Sequence, residues 1–343
     1  MARYLGALAQ EIDLLAEAPW AGNVQIDTIF FGGGTPSLLA AEELAAVLGR
    51  LRGSFRLGPA PEVTVECNPE SVAREKLDAY RQAGVNRISV GVQSLDDAIL
   101  EGLGRLHSAH QARRAYDATR EAGFDNVSID LMYGLPGLEV DRWRQGVETI
   151  LNWGPEHLSA YGLTLDETSR WGAQGVAGLP PEETVVAQYW ALAQAAAAHG
   201  YEHYEISNYA RPGFRARHNL VYWRAAEYLA AGPGGCGFVG DVRYVNAKPV
   251  ARYCTTLEAR RLPIESFERL TARQRLAERL ILGLRTSDGI PAEWLRTRAQ
   301  GEHALERRLQ DWQATGLILA EDDRVHLSES GFLLSDTLFV DLL

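Results

Sequence analysis

Asp27-Thr-Ile-Phe-Phe31 (DTIFF) runs straight into Gly32-Gly-Gly-Thr-Pro-Ser37 (GGGTPS), a β-rich run that stops on a glycine turn. The same grammar recurs along the chain. Further β-rich runs lie at Glu62–Glu66 (EVTVE), Arg87–Val92 (RISVGV), Asn126–Leu131 (NVSIDL), His157–Gly162 (HLSAYG) and Glu202–Ile206 (EHYEI). Amphipathic stretches at Ala40–Arg52, Ser71–Ala83, Ser108–Ala122, Asp141–Asn152 and Glu182–His199 separate them. Gly84, Gly123 and Gly200 stand where these helices must stop, since glycine takes the left-handed C-terminal conformation without steric cost. Six strands separated by helices imply parallel β-α units, and hence an α/β fold with an open or barrel-like sheet.

Beyond residue 207 the rhythm changes to glycine- and aromatic-rich segments, and from about Ser266 to helices. These lead into Leu317-Ile-Leu-Ala320 and Arg324-Val-His-Leu327 around the turn Glu321-Asp-Asp323. The expected organisation is a β/α domain over 1–207, a connecting segment over 208–265 and a winged-helix-like C-terminal helical domain over 266–343. That last unit has no basic recognition helix, so it is read as a packing or partner-binding element rather than a DNA reader.

Composition narrows the function. The 343 residues carry a net charge of −11, which argues against broad binding to nucleic acid or anionic lipid. Cation content is almost entirely arginine, with lysine at 76 and 248 only. No apolar run approaches the ~20 residues of a membrane span, and the N-terminus lacks a secretory pattern. The cysteines, Cys67, Cys236 and Cys254, have no pairing or C-x-x-C spacing, so buried thiols in a reducing cytoplasm are expected.

In β/α folds, chemistry gathers at the carboxyl ends of the strands. Reading those positions gives Gly33, Gly34 and Thr35 after the first strand, Glu66 after the second, Gln93 after the third, Asp130 on the fourth and Thr164 past the fifth. Arg105 follows a short helix after the third. A triple glycine alone is usually only a tight turn, and either carboxylate could simply orient a neighbouring loop. Together they form a rim suited to a zwitterion with hydroxyl groups. Backbone amides and Arg105 would hold a carboxylate, Glu66 an ammonium and Asp130 a ribose hydroxyl. No nucleophile elbow or H-E-x-x-H helix points to hydrolysis.

Phe31-Gly-Gly-Gly-Thr-Pro-Ser37, Glu66-Cys-Asn-Pro69, Arg87-Ile-Ser-Val-Gly-Val-Gln-Ser94 and Ile129-Asp-Leu-Met-Tyr-Gly-Leu-Pro136 resemble the oxygen-independent coproporphyrinogen III oxidase family of radical S-adenosylmethionine proteins. Within it the chain is most similar to the HemW branch, whose members are regarded as haem chaperones rather than oxidases. The resemblance implies a partial (β/α)6 barrel. It places S-adenosylmethionine at Gly33, Gly34, Thr35, Glu66, Gln93 and Arg105, with Asp130 at the ribose and Thr164 at the adenine edge. It also implies haem bound at His218-Asn-Leu-Val-Tyr-Trp223, which matches an H-N-x-x-Y-W pattern. If that stretch is helical, His218, Asn219, Tyr222 and Trp223 share one face, with the imidazole able to ligate iron and the aromatics able to cover a porphyrin. The alternative is a hydrogen-bonded core histidine with packing aromatics.

Family members also begin with a strand and a C-x-x-x-C-x-x-C loop that holds a 4Fe–4S cluster, and here the chain starts at Met1 ahead of a helix at Tyr4–Glu17. The expectation is a barrel missing its first strand, no catalytic residue, no metal ligands for a cluster and no radical chemistry from the chain as written. Asp27–Phe31 should then be an exposed sheet edge, which makes a homodimer one expectation. Misplaced start, truncation and true loss stay open. Cys236 stands where the family has a histidine in a G-A-H-S-like run, and is read as a neutral packing substitution. The leading function is a haem chaperone delivering haem to target proteins, with apo-haemoproteins of the respiratory chain as conceivable acceptors. Its expected place is cytoplasmic, with peripheral membrane attachment left open. The alternatives are an oxidase-like radical enzyme of porphyrin biosynthesis whose cluster segment is absent, and a non-radical module using the rim for another zwitterion.

Overall fold

The computed structural model describes residues 1–167 and 169–340. Among them, three sheets form. The largest has seven strands: β1 (Gln25–Phe31), β2 (Arg56–Cys67), β3 (Arg87–Gln93), β4 (Val127–Tyr133), β5 (His157–Gly162), β6 (Glu202–Glu205) and β7 (Asn208–Ala210). Their spatial order is β1-β2-β3-β4-β5-β7-β6, and the sheet curls into a half-barrel. Its outer helices are α1 (Ala2–Ala16), α2 (Ala41–Ser54), α3 (Arg74–Ala83), α4 (Asp97–Gly102), α5 (Ala109–Glu121), α6 (Val140–Trp153), α7 (Arg170–Gln174) and α8 (Glu182–Ala198).

The first five strands are parallel, as the alternation implies. The sixth departs from it. After β6 the chain reverses at once, and β7 inserts between β5 and β6, antiparallel to both. A turn of two residues leaves no helix to carry the chain back, so the return strand must run the other way. The strand β1 is the sheet edge, paired with β2 alone among the described strands, as expected. Helix α1 packs on α2 and on α10 (Val250–Glu258), and Ile26 of β1 joins its apolar cluster.

The two faces of this sheet have different chemistry. Residues of one parity, Ile29, Val63, Val65, Ile88, Val90, Ile129, Leu131 and Leu158, are buried against Leu44 and Leu48 of α2, Leu77 and Tyr80 of α3, Tyr116 of α5 and Val147 and Ile150 of α6. Each such side chain contributes about 1.5–3 kcal/mol on leaving water. The opposite parity, facing the concave side, is polar: Thr28, Glu62, Thr64, Ser89, Ser128, Asp130, His157 and Ser159. Parallel sheets are normally apolar on both faces. A polar concave face is therefore built to hold something other than core.

After β7 come α9 (Arg217–Trp223) and a three-stranded antiparallel sheet of β8 (Cys236–Val239), β9 (Val242–Asn246) and β10 (Ile264–Arg269), in the order β10-β9-β8. The C-terminal unit comprises α11 (Ala272–Leu284), β11 (Ile290–Pro291), α12 (Ala292–Ala299), α13 (His303–Ala314), the hairpin β12 (Ile318–Glu321) and β13 (Arg324–Leu327), then α14 (Glu329–Leu333) and α15 (Ser335–Phe339). Glu329 of α14 fastens this unit to the barrel, accepting from Tyr189 Oη of α8 at 2.6 Å and pairing with His203 Nδ1 of β6 at 2.9 Å. No described helix is long and apolar enough to cross a membrane.

Candidate functional site

Strand β1 ends on Gly32, where a β-carbon would collide with the Phe30 ring and the Glu66 carboxyl. Gly33 follows with φ +89°, a conformation that glycine adopts without strain. Its amide donates to Glu66 Oε2 at 3.2 Å. The glycines thus bring backbone N–H groups within reach of a carboxylate at the end of β2. Gly34 is open and exposed, and Thr35 is half-buried behind it.

Burial pushes the Glu66 carboxyl up to about 7, and the nearby Asp130 charge adds to the shift against the Gly33 hydrogen bond. Asp130 is also raised, first by burial, although Ser89 Oγ donates to it at 2.9 and 3.0 Å and Ser128 Oγ approaches at 3.4 Å. Two acids whose burial opposes ionisation favour a cationic or hydroxyl-bearing ligand, which would let both charge. On the same strand face, two residues before Glu66, the buried Thr64 hydroxyl has no hydrogen-bond partner. This donor set fits the ammonium and ribose of S-adenosylmethionine.

The remaining rim residues are placed unevenly. Gln93 sits at a bulge between β3 and β4 with φ +66°. Bulges of this kind re-aim a side chain at a strand end. Arg105, beyond α4, lies over the end of β2, with its Nη1 3.4 Å from Asn68 Oδ1. Thr164 is exposed two residues past β5.

A second polar assembly runs down the concave face, and the strand-end reading missed it. Ser128 Oγ meets His157 Nδ1 at 2.8 Å, His157 Nε2 meets Tyr204 Oη at 2.8 Å, and Tyr204 Oη accepts from Ala216 N at 3.2 Å, the residue preceding α9. Burial holds His157 well below the usual imidazole range, so it is neutral. The signal that could have found these groups is the period of two within each strand, not the strand ends.

Arg217–Trp223 form the helix α9, and it lies against the concave-facing side chains of β1 and β2. His218 Nδ1 is 2.8 Å from Thr28 Oγ1, its ring stacks on Phe30 with centroids 5.0 Å apart, and its Nε2 is 2.7 Å from Tyr222 Oη. Burial lowers the imidazole to about 4. Tyr222, 40% exposed, stands edge-on to Tyr228, which in turn contacts Phe238. Trp223 instead packs on Tyr204, Ala210 and Leu220. Successive helical residues are about 100° apart, so the 219/223 pair points a quarter-turn away from the 218/222 pair.

Cys67 and Cys254 are buried, as expected, but Cys236 is exposed. The packing reading of Cys236 is corrected here: β8 is the outer strand of its sheet, and its first side chain faces solvent. Cys236 is close enough to Tyr222 to push the phenol up, though burial and Tyr228 weigh more and bring it to about 12. The described residues hold no group of three or more His, Cys, Asp or Glu that could hold a metal ion. These described residues do not fit an iron–sulfur cluster.

Comparison with known proteins bears on the family and the fold. Residues 6–150 match the radical SAM superfamily, and residues 270–334 match the HemN C-terminal domain. The chain is 33% identical to the heme chaperone HemW of Bacillus subtilis (strain 168) over 343 residues, covering 98% of this chain and 90% of that protein. It is 36% identical over 345 residues to the heme chaperone HemW of Mycobacterium tuberculosis (strain CDC 1551 / Oshkosh), covering 99% and 86%. Among solved structures, coproporphyrinogen III oxidase (HemN) from Escherichia coli, a radical SAM enzyme, superposes with a TM-score of 0.84 at 21% identity. That match covers 99% of this chain and 82% of the other, and it establishes the shared fold.

Proposed function

The chain belongs to the HemW family of radical SAM proteins, and from that premise we propose that it binds haem on α9 and passes it to an apo-haemoprotein in the cytoplasm. The observation that carries the reading is His218. Its ring is held against Thr28 and Phe30 of β1, and its Nε2 meets the Tyr222 phenol. Tyr222, Tyr228 and Phe238 continue outward from it as an aromatic run, and the exposed Cys236 lies beside them. Imidazole for iron and aromatic faces for a porphyrin are the chemistry haem requires.

On the concave side, Gly33, Gly34, Thr35, Glu66, Gln93, Arg105, Asp130 and Thr164 are the residues proposed to hold S-adenosylmethionine. Glu66 would take the ammonium, and Asp130 the ribose hydroxyls. The oxidase-like alternative is not favoured, because relatives aligned over nearly the full chain carry the chaperone name.

The test is titration of the full chain with haemin, followed by the Soret band, for the wild type, His218→Ala and Cys236→Ala. Loss of the histidine-ligated spectrum in His218→Ala supports the site. A spectrum unchanged in both variants overturns it.

A further inference from the structure

His218 is restrained on three sides by the barrel. The Glu62 carboxylate accepts from the backbone N–H groups of Arg217 at 3.0 Å and His218 at 2.9 Å, fixing the start of α9. Glu62 is itself buried on β2. Phe30 of β1 stacks on the ring at an interplanar angle of 17°, and Thr28 Oγ1 lies 2.8 Å from Nδ1. The fourth neighbour, Tyr222 Oη on Nε2, belongs to the most exposed of these side chains and is the one free to swing away.

The two ring hydrogen bonds fit either tautomer, because both hydroxyls can donate or accept, and ligation at Nε2 selects one. An imidazole that offers its Nε2 lone pair carries its proton on Nδ1, and that proton needs an acceptor. In that form the Thr28 hydroxyl oxygen, 2.8 Å from Nδ1, is placed to accept, and the Tyr222 O–H, 2.7 Å from Nε2, to donate. A metal-ligating histidine commonly depends on such a partner at its other nitrogen for ring orientation and basicity.

We infer that Thr28 is a positioning residue for haem: it holds His218 in the Nδ1–H form and directs Nε2 outward, while Glu62 anchors the backbone. The inference rests on the haem reading of α9. Ligation then forms an Nε2–iron coordinate bond as the Tyr222 O–H···Nε2 hydrogen bond breaks. No proton leaves the ring.

The experiment uses the full chain with haemin as the probe, comparing the wild type with Thr28→Val, Thr28→Ser and His218→Ala. Affinity is read from the Soret titration, and the iron–histidine stretch from resonance Raman after reduction. Thr28→Val is expected to weaken binding about 10–100-fold, as loss of such a partner typically does, and to lower the stretching frequency. Thr28→Ser, which keeps the hydroxyl, should preserve both. If His218→Ala abolishes the histidine signature while Thr28→Val changes neither readout, the positioning role is overturned and the haem site stands. If His218→Ala leaves the signature intact, both fall. Should Thr28→Val unfold by circular dichroism, Thr28→Ala set against Thr28→Ser decides by the same two readouts.

Discussion

Replacing Glu66 by glutamine tests whether the concave face carries electrostatic strain. The carboxyl sits at about 7 against an ordinary 4.5, because burial and Asp130 both oppose its charge. An acid whose pKa rises on folding binds more protons folded than unfolded, so its contribution to stability falls as pH climbs from 4.5 to about 7. At about 1.4 kcal/mol per unit the full shift would be worth roughly 3 kcal/mol. Glu66 is only half-buried and water screens part of this, so we expect about 1–2 kcal/mol. Glutamine keeps an oxygen for the Gly33 amide but cannot ionise. Urea denaturation of both proteins should show the Glu66→Gln variant gaining that amount on the wild type between about pH 5 and about pH 8. A difference between the two proteins that is the same at both pH values would refute the reasoning.

Three further outcomes follow from buried contacts. Glu11→Ala should destabilise by about 2–4 kcal/mol in urea, because the Gly232 amide, the Asn246 amide group and the Tyr253 hydroxyl, at 2.8, 2.6 and 2.5 Å, lose a buried acceptor. Tyr204→Phe should cost about 1–3 kcal/mol by the same measurement and speed amide exchange at Ala216, since it strands both His157 Nε2 and the Ala216 N–H. Gly237→Ala should cost about 1–3 kcal/mol in thermal unfolding, because the Tyr244 ring lies where the new β-carbon would go.

The sequence made the parallel half of the barrel readable because each strand there is a short β-branched run ended by a turn residue. The rim from Gly33 to Asp130 was readable for the same reason, since strand-end positions are set by topology. Other parts were concealed locally. Gly58, Pro59 and Pro61 look like a loop, yet β2 begins at Arg56, with the extra residues absorbed by a register shift opposite Ile26 and Thr28. Proline survives in strands at such irregularities. Three residues, Asn208–Ala210, are too few to signal β7. Thr28, Glu62 and His157 were hidden because a polar residue inside a strand reads as solvent-facing until the sheet is known to curl.

The division of each strand between a greasy outer row and a polar inner row also sets which genetic changes the barrel can absorb. Swapping Ser89 or Ser128 for another small polar residue alters the lining and leaves the helices' footing untouched. Losing one codon just before Asp130 does something else. It would turn that carboxylate out among Leu and Val side chains and turn Ile129 or Leu131 in, exchanging site and core at one stroke. Such a scaffold is expected to drift by substitution within its strands and to change length only in the loops between them.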